Sequence, residues 1–147
     1  MKPFKIHFTN PKDSKEYFIQ DFKSYIESPD FNKESFLNRL VQICNQDSVY
    51  NILFKSKLQG QKYPKDKAIQ FFDYAKKGWK EKINFVFLII RVSDGQLCGA
   101  IEVKSNDLER SEIGYWASED AHGIMTSSLK NIIQEAKASG YKTLFAR

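Results

Sequence analysis

A chain of 147 residues, 41% hydrophobic and 28% charged, has the composition of one soluble globular domain and is long enough to bury a core. Its net charge of +5 is spread along the chain, which favours an acidic cofactor or substrate and is not the footprint of a nucleic-acid binder. No apolar run approaches the roughly 20 residues of a membrane span, and Met-Lys-Pro-Phe-Lys lacks the apolar core of a signal peptide. Cys44 and Cys98 sit in apolar contexts and read as buried thiols rather than a disulfide. The expected compartment is therefore the cytoplasm, with neither membrane nor nucleic acid as a partner. The two histidines and two cysteines are far apart in sequence, so no metal site is expected.

The first expected element is a strand over Lys5 to Phe8, ended by Asn10-Pro11. Asp13 with Glu16 three residues on has the pattern of a capping box. It predicts a helix carrying Phe18, Phe22, Tyr25 and Ile26 on one face. A second helix is expected from Lys33 to Cys44, capped by Asn32, with Phe36, Leu37, Leu40, Val41 and Cys44 inward. Val49 to Leu58 follows no clean period. After a loop through Pro64, a third helix is expected from Asp66 to Lys80, with Ala68, Phe71, Phe72, Ala75 and Trp79 on its apolar face.

Phe85 to Val92 is nearly continuously apolar, the mark of a strand buried on both faces. Asp94-Gly95 signals a hairpin into a strand from Gln96 to Lys104. Ser111 to Ala117 reads as the next strand. After it, Met125, Leu129, Ile132, Ile133 and Ala136 fall on one face of a helix, with Gly140 placed as its C-terminal glycine. A last strand is expected over Tyr141 to Ala146. A strand entering a helix through a turn containing Gly123 aims free backbone N–H groups at one spot, a place for an anion; strand-turn-helix is also among the commonest structural units.

The words E-I-G-Y-W and H-G-I-M-T-x-x-L in this stretch resemble the GNAT acetyltransferases, especially the branch that acetylates ribosomal-protein N-termini. F-V-F-L-I-I-R-x-x-D-G-x-L-C-G-A-I-E resembles the same family's second and third strands, so the likeness covers roughly residues 62–147. It implies an α/β fold with a mixed, mostly antiparallel sheet flanked by helices. It implies acetyl-CoA as cofactor and an amine acceptor, a protein N-terminus or a small molecule. Tyr115, Trp116 and Ala117 would offer the strand edge to the pantetheine arm, with a backbone N–H near Tyr115 facing the oxyanion. The amides from Ala121 through His122, Gly123, Ile124 and Met125 to Thr126 would hold the pyrophosphate. The family's glutamine or arginine position falls on Asp120, which would set a carboxylate beside a diphosphate, and its first glycine falls on Ala121.

Direct transfer needs a base for the amine, because only the neutral form attacks. Glu112, at the start of the strand, is the first candidate and Glu102, on the preceding strand, the second. The plainer reading of each is a solvated strand-end carboxylate. The chain reads as a single domain over 1–147 that lacks the family's usual C-terminal helix and hairpin. That leads to the expectation of a homo-oligomer, or of a strand-completing partner, through residues 141–147. A non-catalytic GNAT-like binding or assembly module with weakened cofactor binding is the alternative to the enzyme.

Overall fold

The computed structural model describes residues 1–146, so Arg147, the end of the segment expected to join a second chain, lies outside the described residues. Among them the strands form one six-stranded sheet in chain order, β1 (Lys5–Thr9), β2 (Glu16–Asp21), β3 (Phe85–Arg91), β4 (Leu97–Val103), β5 (Ser111–Ala117) and β6 (Leu144–Phe145). Neighbours are antiparallel except β5 and β6, which run parallel. The helices are α1 (Phe22–Glu27), α2 (Lys33–Cys44), α3 (Asp47–Leu53), α4 (Lys65–Glu81) and α5 (Ile124–Ala138).

The helix expected from Asp13 is a correction: residues 16–21 are a strand, and only α1 is helical. Asp13 caps nothing. One carboxylate oxygen accepts from the Lys15 amide at 2.9 Å and the other from the Tyr17 hydroxyl at 2.6 Å, which closes the β1–β2 turn. Tyr17, Ile19 and Asp21 alternate inward and lie opposite Arg91, Ile89 and Phe87 of β3, so pairing with the central strand overrides the local helical spacing. The true cap is Asp21, whose carboxylate accepts from the Ser24 amide at 2.7 Å.

The other elements follow the sequence more closely. Asn32 caps α2 by accepting from the Ser35 amide at 2.9 Å. Ala68, Phe72, Ala75 and Trp79 bury the inner face of α4. Every residue of β3 is buried, as its unbroken apolar run requires. The unpatterned stretch is α3 followed by turns. The expected apolar face of α5 is rotated: Ile124, Ser128, Ile132 and Ala136 are the buried residues, and Ile133 is 49% exposed.

Adjacent residues of a strand point to opposite faces, and this places the helices. A Cβ built on Gly99 would lie 3.4 Å from Ile124 Cδ1, so α5 covers the Gly99 face. Phe71 of α4 packs edge-on against Trp116, which lies opposite Ala100, so α4 covers the other face. Helices therefore flank both faces of the sheet, as expected.

Candidate active site

β5 is the axis of the site. Its pairing with β6 covers Ser111 opposite Leu144 and Glu112 opposite Phe145, and among the described residues no strand pairs with β5 on that side from Ile113 to Ala117. The hydrogen bonds fix which way each backbone group faces. The Ser111 amide donates to Thr143 O at 3.0 Å on the β6 side. Glu112 O accepts from the Lys104 amide at 2.9 Å, and the Ser118 amide donates to Cys98 O at 2.7 Å, both on the β4 side. With period two, the backbone groups of Tyr115 and Ala117 face away from β4, toward the opening. Trp116, expected at the same edge, differs: its backbone faces Ala100 in the β4 ladder, and its indole ring lines the site instead.

A groove of about 470 Å³ follows this opening between α3 and β5, lined by Ile52, Leu53, Tyr115, Ala117 and Met125 among others. At one end it shares Ser48, Ala117 and Met125 with a hollow of about 360 Å³ before α5, which also carries His122 and Gly123. At the other end it shares Leu53, Lys104, Gly114, Tyr115 and Trp116 with a hollow of about 320 Å³ that holds Glu102. A fourth hollow of about 350 Å³, between α2 and α4, shares Phe54, Lys57, Phe71 and Trp116 with the third. The first three follow β5, and the fourth opens off the third beside Trp116.

At the α5 end, Gly123 adopts a φ of 91°, a left-handed conformation that glycine takes without steric cost. A Cβ there would lie 2.3 Å from Lys12 Cγ, because the β1–β2 turn packs directly on Gly123. Asn10 holds that contact, its amide donating to His122 O at 2.9 Å. The amides of Ile124, Met125 and Thr126, in the first turn of α5, have no partner inside the helix. Of the expected donors, Ala121 does not join them: its amide donates to Ser118 O at 3.1 Å. The His122 side chain is exposed beside the hollow.

Asp120, expected beside the diphosphate, has partners that the sequence did not signal. Its carboxylate accepts from Arg39 at 3.2 Å and from the Ser118 hydroxyl, and Arg91 stands 3.7 Å away. Burial works to raise its pKa, but the Ser118 hydrogen bond and the charges of Arg39 and Arg91 hold it below the usual carboxylate range. Asp120 thus ties α2 and β3 to the turn, and two guanidiniums offset its charge. Sequence reasoning had no means of finding Arg39, 81 residues away.

Glu112 and Glu102 project from the same face, Glu102 opposite Gly114 and Glu112 two residues before it. Lys104 reaches Glu112 Oε2 at 2.8 Å, and its stem crosses Gly114, where a Cβ would lie 2.9 Å from Lys104 Cε. Glu102 is more enclosed. Tyr74 donates its hydroxyl to Glu102 Oε2, and the buried Asn84 amide is 3.4 Å from the same oxygen. Burial raises the Glu102 pKa, against the opposing pull of Tyr74 and Lys104. Tyr74 and Asn84 had no sequence signal that tied them to a carboxylate.

Among the described residues no cluster of three or more His, Cys, Asp or Glu could hold a metal ion, and no helix is long and apolar enough to cross a membrane. Both cysteines are free and buried; burial pushes the Cys44 thiol, in the wall of the fourth hollow, up to about 12.

Solved structures share this architecture. The ribosomal-protein-S5-alanine acetyltransferase of Vibrio fischeri matches at a TM-score of 0.65 and 12% identity, over 97% of this chain and 73% of that one. A putative ribosomal-protein-serine acetyltransferase of Vibrio cholerae matches at 0.64 and 14% identity, over 87% and 68%. The microcin C7 self-immunity acetyltransferase MccE, solved with acetyl-CoA and AMP, matches at 0.60 and 16% identity, over 84% of this chain and 64% of that one. The chain thus spans about two thirds of the length of these relatives. No curated protein matches the chain in sequence. The family model described as the acetyltransferase (GNAT) domain matches residues 31–147, and with most of its length inside that match the chain belongs to the GNAT acetyltransferase family.

Proposed function

We propose that the protein transfers the acetyl group of acetyl-CoA to a primary amine by direct attack, with Glu102 as the base. The observation that carries this is the run of hollows along β5, with unpartnered helix amides at one end, an open strand edge in the middle and an enclosed carboxylate at the other. The residues fit such a cofactor. The amides of Ile124, Met125 and Thr126, beside Gly123 and His122, suit a pyrophosphate. The backbone groups of Tyr115 and Ala117 suit the amides of a pantetheine arm. Acetyl-CoA supplies the activated acetyl group when bound.

The chain's own part is positioning and proton transfer. The Tyr115 N–H, at the open edge, is the donor for the oxyanion. Glu102, on the β4 residue opposite Gly114, accepts the proton that the attacking ammonium must lose. A pKa raised by burial suits that task better than an exposed carboxylate would. Glu112 keeps a lesser role: paired with Lys104, it sets the charge around Glu102. Direct attack is favoured over an acyl-cysteine route because the Cys44 thiol stays protonated at neutral pH.

The alternative of a non-catalytic module rested in part on a carboxylate facing a diphosphate. In our reading the Arg39 guanidinium offsets the Asp120 charge, which weakens that motive. We place the reaction in the cytoplasm, in keeping with the two unpaired buried thiols. We also propose that a second copy, or a partner strand, pairs along the edge strand β6 within residues 141–147; sedimentation at micromolar concentration showing only monomer would overturn that assembly.

Calorimetric titration with acetyl-CoA, followed by mass spectrometry of an amine incubated with both, tests the function. Micromolar binding and an acetylated product are expected. Absence of binding would refute the enzyme.

A further inference from the structure

The hollow between α2 and α4 has a chemistry that selects among amines. Its walls are mostly apolar: Leu40 and Cys44, both buried, close its inner end, and Phe54, Leu58, Phe71 and Trp116 form the sides. Phe71 and Trp116, edge to face with centroids 6.5 Å apart, stand in the walls of both this hollow and the one holding Glu102. An amine placed at Glu102 therefore directs its body past the Phe71–Trp116 pair and against the buried Leu40 and Cys44.

The rim carries positive charge. Lys57 lines both hollows and Lys67 lines the apolar one. Three lysines of the surrounding elements are paired: Lys65 with Glu34, Lys77 with Glu81 and Lys104 with Glu112. Lys57 and Lys67 have no ion-pair partner among the described residues, and Glu102 is the only carboxylate lining either hollow. A neutral or cationic body would leave that positive rim unmatched.

We propose that the acceptor is a small primary amine with an aromatic or similarly sized apolar body and a carboxylate, of the kind of an aromatic α-amino acid. The amine sits at Glu102, the body lies between Phe71, Trp116 and the Leu40 wall, and the carboxylate meets Lys57 with Lys67 behind it. The step balances: Glu102 takes one proton from the ammonium, the neutral nitrogen forms the new amide bond as the thioester carbon–sulfur bond breaks, and the nitrogen's second proton goes to the departing thiolate, which leaves as the thiol. The inference rests on the acetyl-transfer reading and narrows it, away from the N-terminus of a long peptide.

Four amines test it: L-phenylalanine, phenethylamine without the carboxylate, glycine without the body, and a hexapeptide beginning with serine. Acetylation rates and the change in Trp116 fluorescence, the latter read with no cofactor present, are measured for each. L-phenylalanine is expected to exceed the other three in kcat/KM by about tenfold or more, the discrimination a charged and shaped pocket supports. Lys57→Met should cut the ratio of L-phenylalanine to phenethylamine, and Phe71→Ala the ratio of L-phenylalanine to glycine. Equal rates with and without the carboxylate, or preference for the peptide, would overturn the proposal. If acetyl-CoA fails to bind while L-phenylalanine still quenches the fluorescence in a Lys57-dependent way, the acetyl-transfer reading falls and the pocket's chemistry stands. If acetyl-CoA binds and none of the small amines does, the pocket proposal falls alone.

Discussion

Lys104 lies across Gly114 with its ammonium 2.8 Å from Glu112 Oε2, on the same face of the sheet as Glu102. The charge of Lys104 pulls the Glu102 pKa down and that of Glu112 pushes it up, both less strongly than burial raises it. The acid limb of kcat/KM should therefore move in opposite directions in two variants. Lys104→Met shifts it to higher pH and Glu112→Gln to lower pH, read from rates between pH 5 and 9. Movement in the same direction would remove Glu102 as the titrating base.

Glu102→Gln keeps the shape and removes the basicity. Turnover should fall by about 10²–10⁴-fold, the usual contribution of a positioned base, with the acetyl-CoA dissociation constant unchanged by calorimetry. The fold should gain stability at neutral pH. Burial raises the Glu102 pKa above its unfolded value, so its contribution to stability is full below the unfolded value and is lost as pH rises through the folded one. Glutamine has no charge to desolvate. A variant both less stable and fully active would contradict the assignment twice.

The elements with strong periodicity or caps were legible in the sequence: α2 with Asn32, α4 with its apolar stripe, β3 with its unbroken run. The strand β2 was not, because Phe18, Phe22, Tyr25 and Ile26 satisfy helical spacing and only pairing with β3 decides against it. The same limit governs the site. The glycine turn and the two glutamates could be read locally. Their environments could not: Asp120 finds Arg39, Glu102 finds Tyr74, and Gly123 meets Lys12 only once the sheet brings distant segments together. A single residue's side-chain identity carries no mark of such partners.

Asp120→Asn tests that ion pair. The neutral amide leaves Arg39 without a carboxylate partner, though Arg39 keeps Leu97 O at 2.9 Å, while Arg91 keeps Asp94 at 2.8 Å. With Asp120 about half exposed, the expected loss of stability is about 1 kcal/mol, the upper end for solvent-accessible pairs. Its pKa is depressed in the fold, so this contribution is present above the unfolded value near 3.9 and disappears as pH falls through the folded one. Denaturation curves of the two proteins should converge in acid. Affinity for acetyl-CoA should not improve; a marked tightening would show that the carboxylate does face the phosphates.

Gly123→Ala tests the anion end of the site through two separable effects. At a φ of 91° any side chain is strained, which costs roughly 1–2 kcal/mol. The new methyl group also meets Lys12 Cγ at 2.3 Å and Asn10 Oδ1 at 3.3 Å, so the β1–β2 turn must lift from the start of α5. Both displace the amides of Ile124 to Thr126. Acetyl-CoA affinity should drop about tenfold, which corresponds to 1.4 kcal/mol, while the rate at saturating cofactor changes little, since Glu102 lies at the far end of the groove. Lys12→Gly added to Gly123→Ala removes the clash and leaves the strain. The double variant should recover part of the lost stability and part of the affinity. Full recovery would mean that the left-handed backbone itself is unimportant. No recovery would mean that the contact with the β1–β2 turn does not hold the phosphate amides in place.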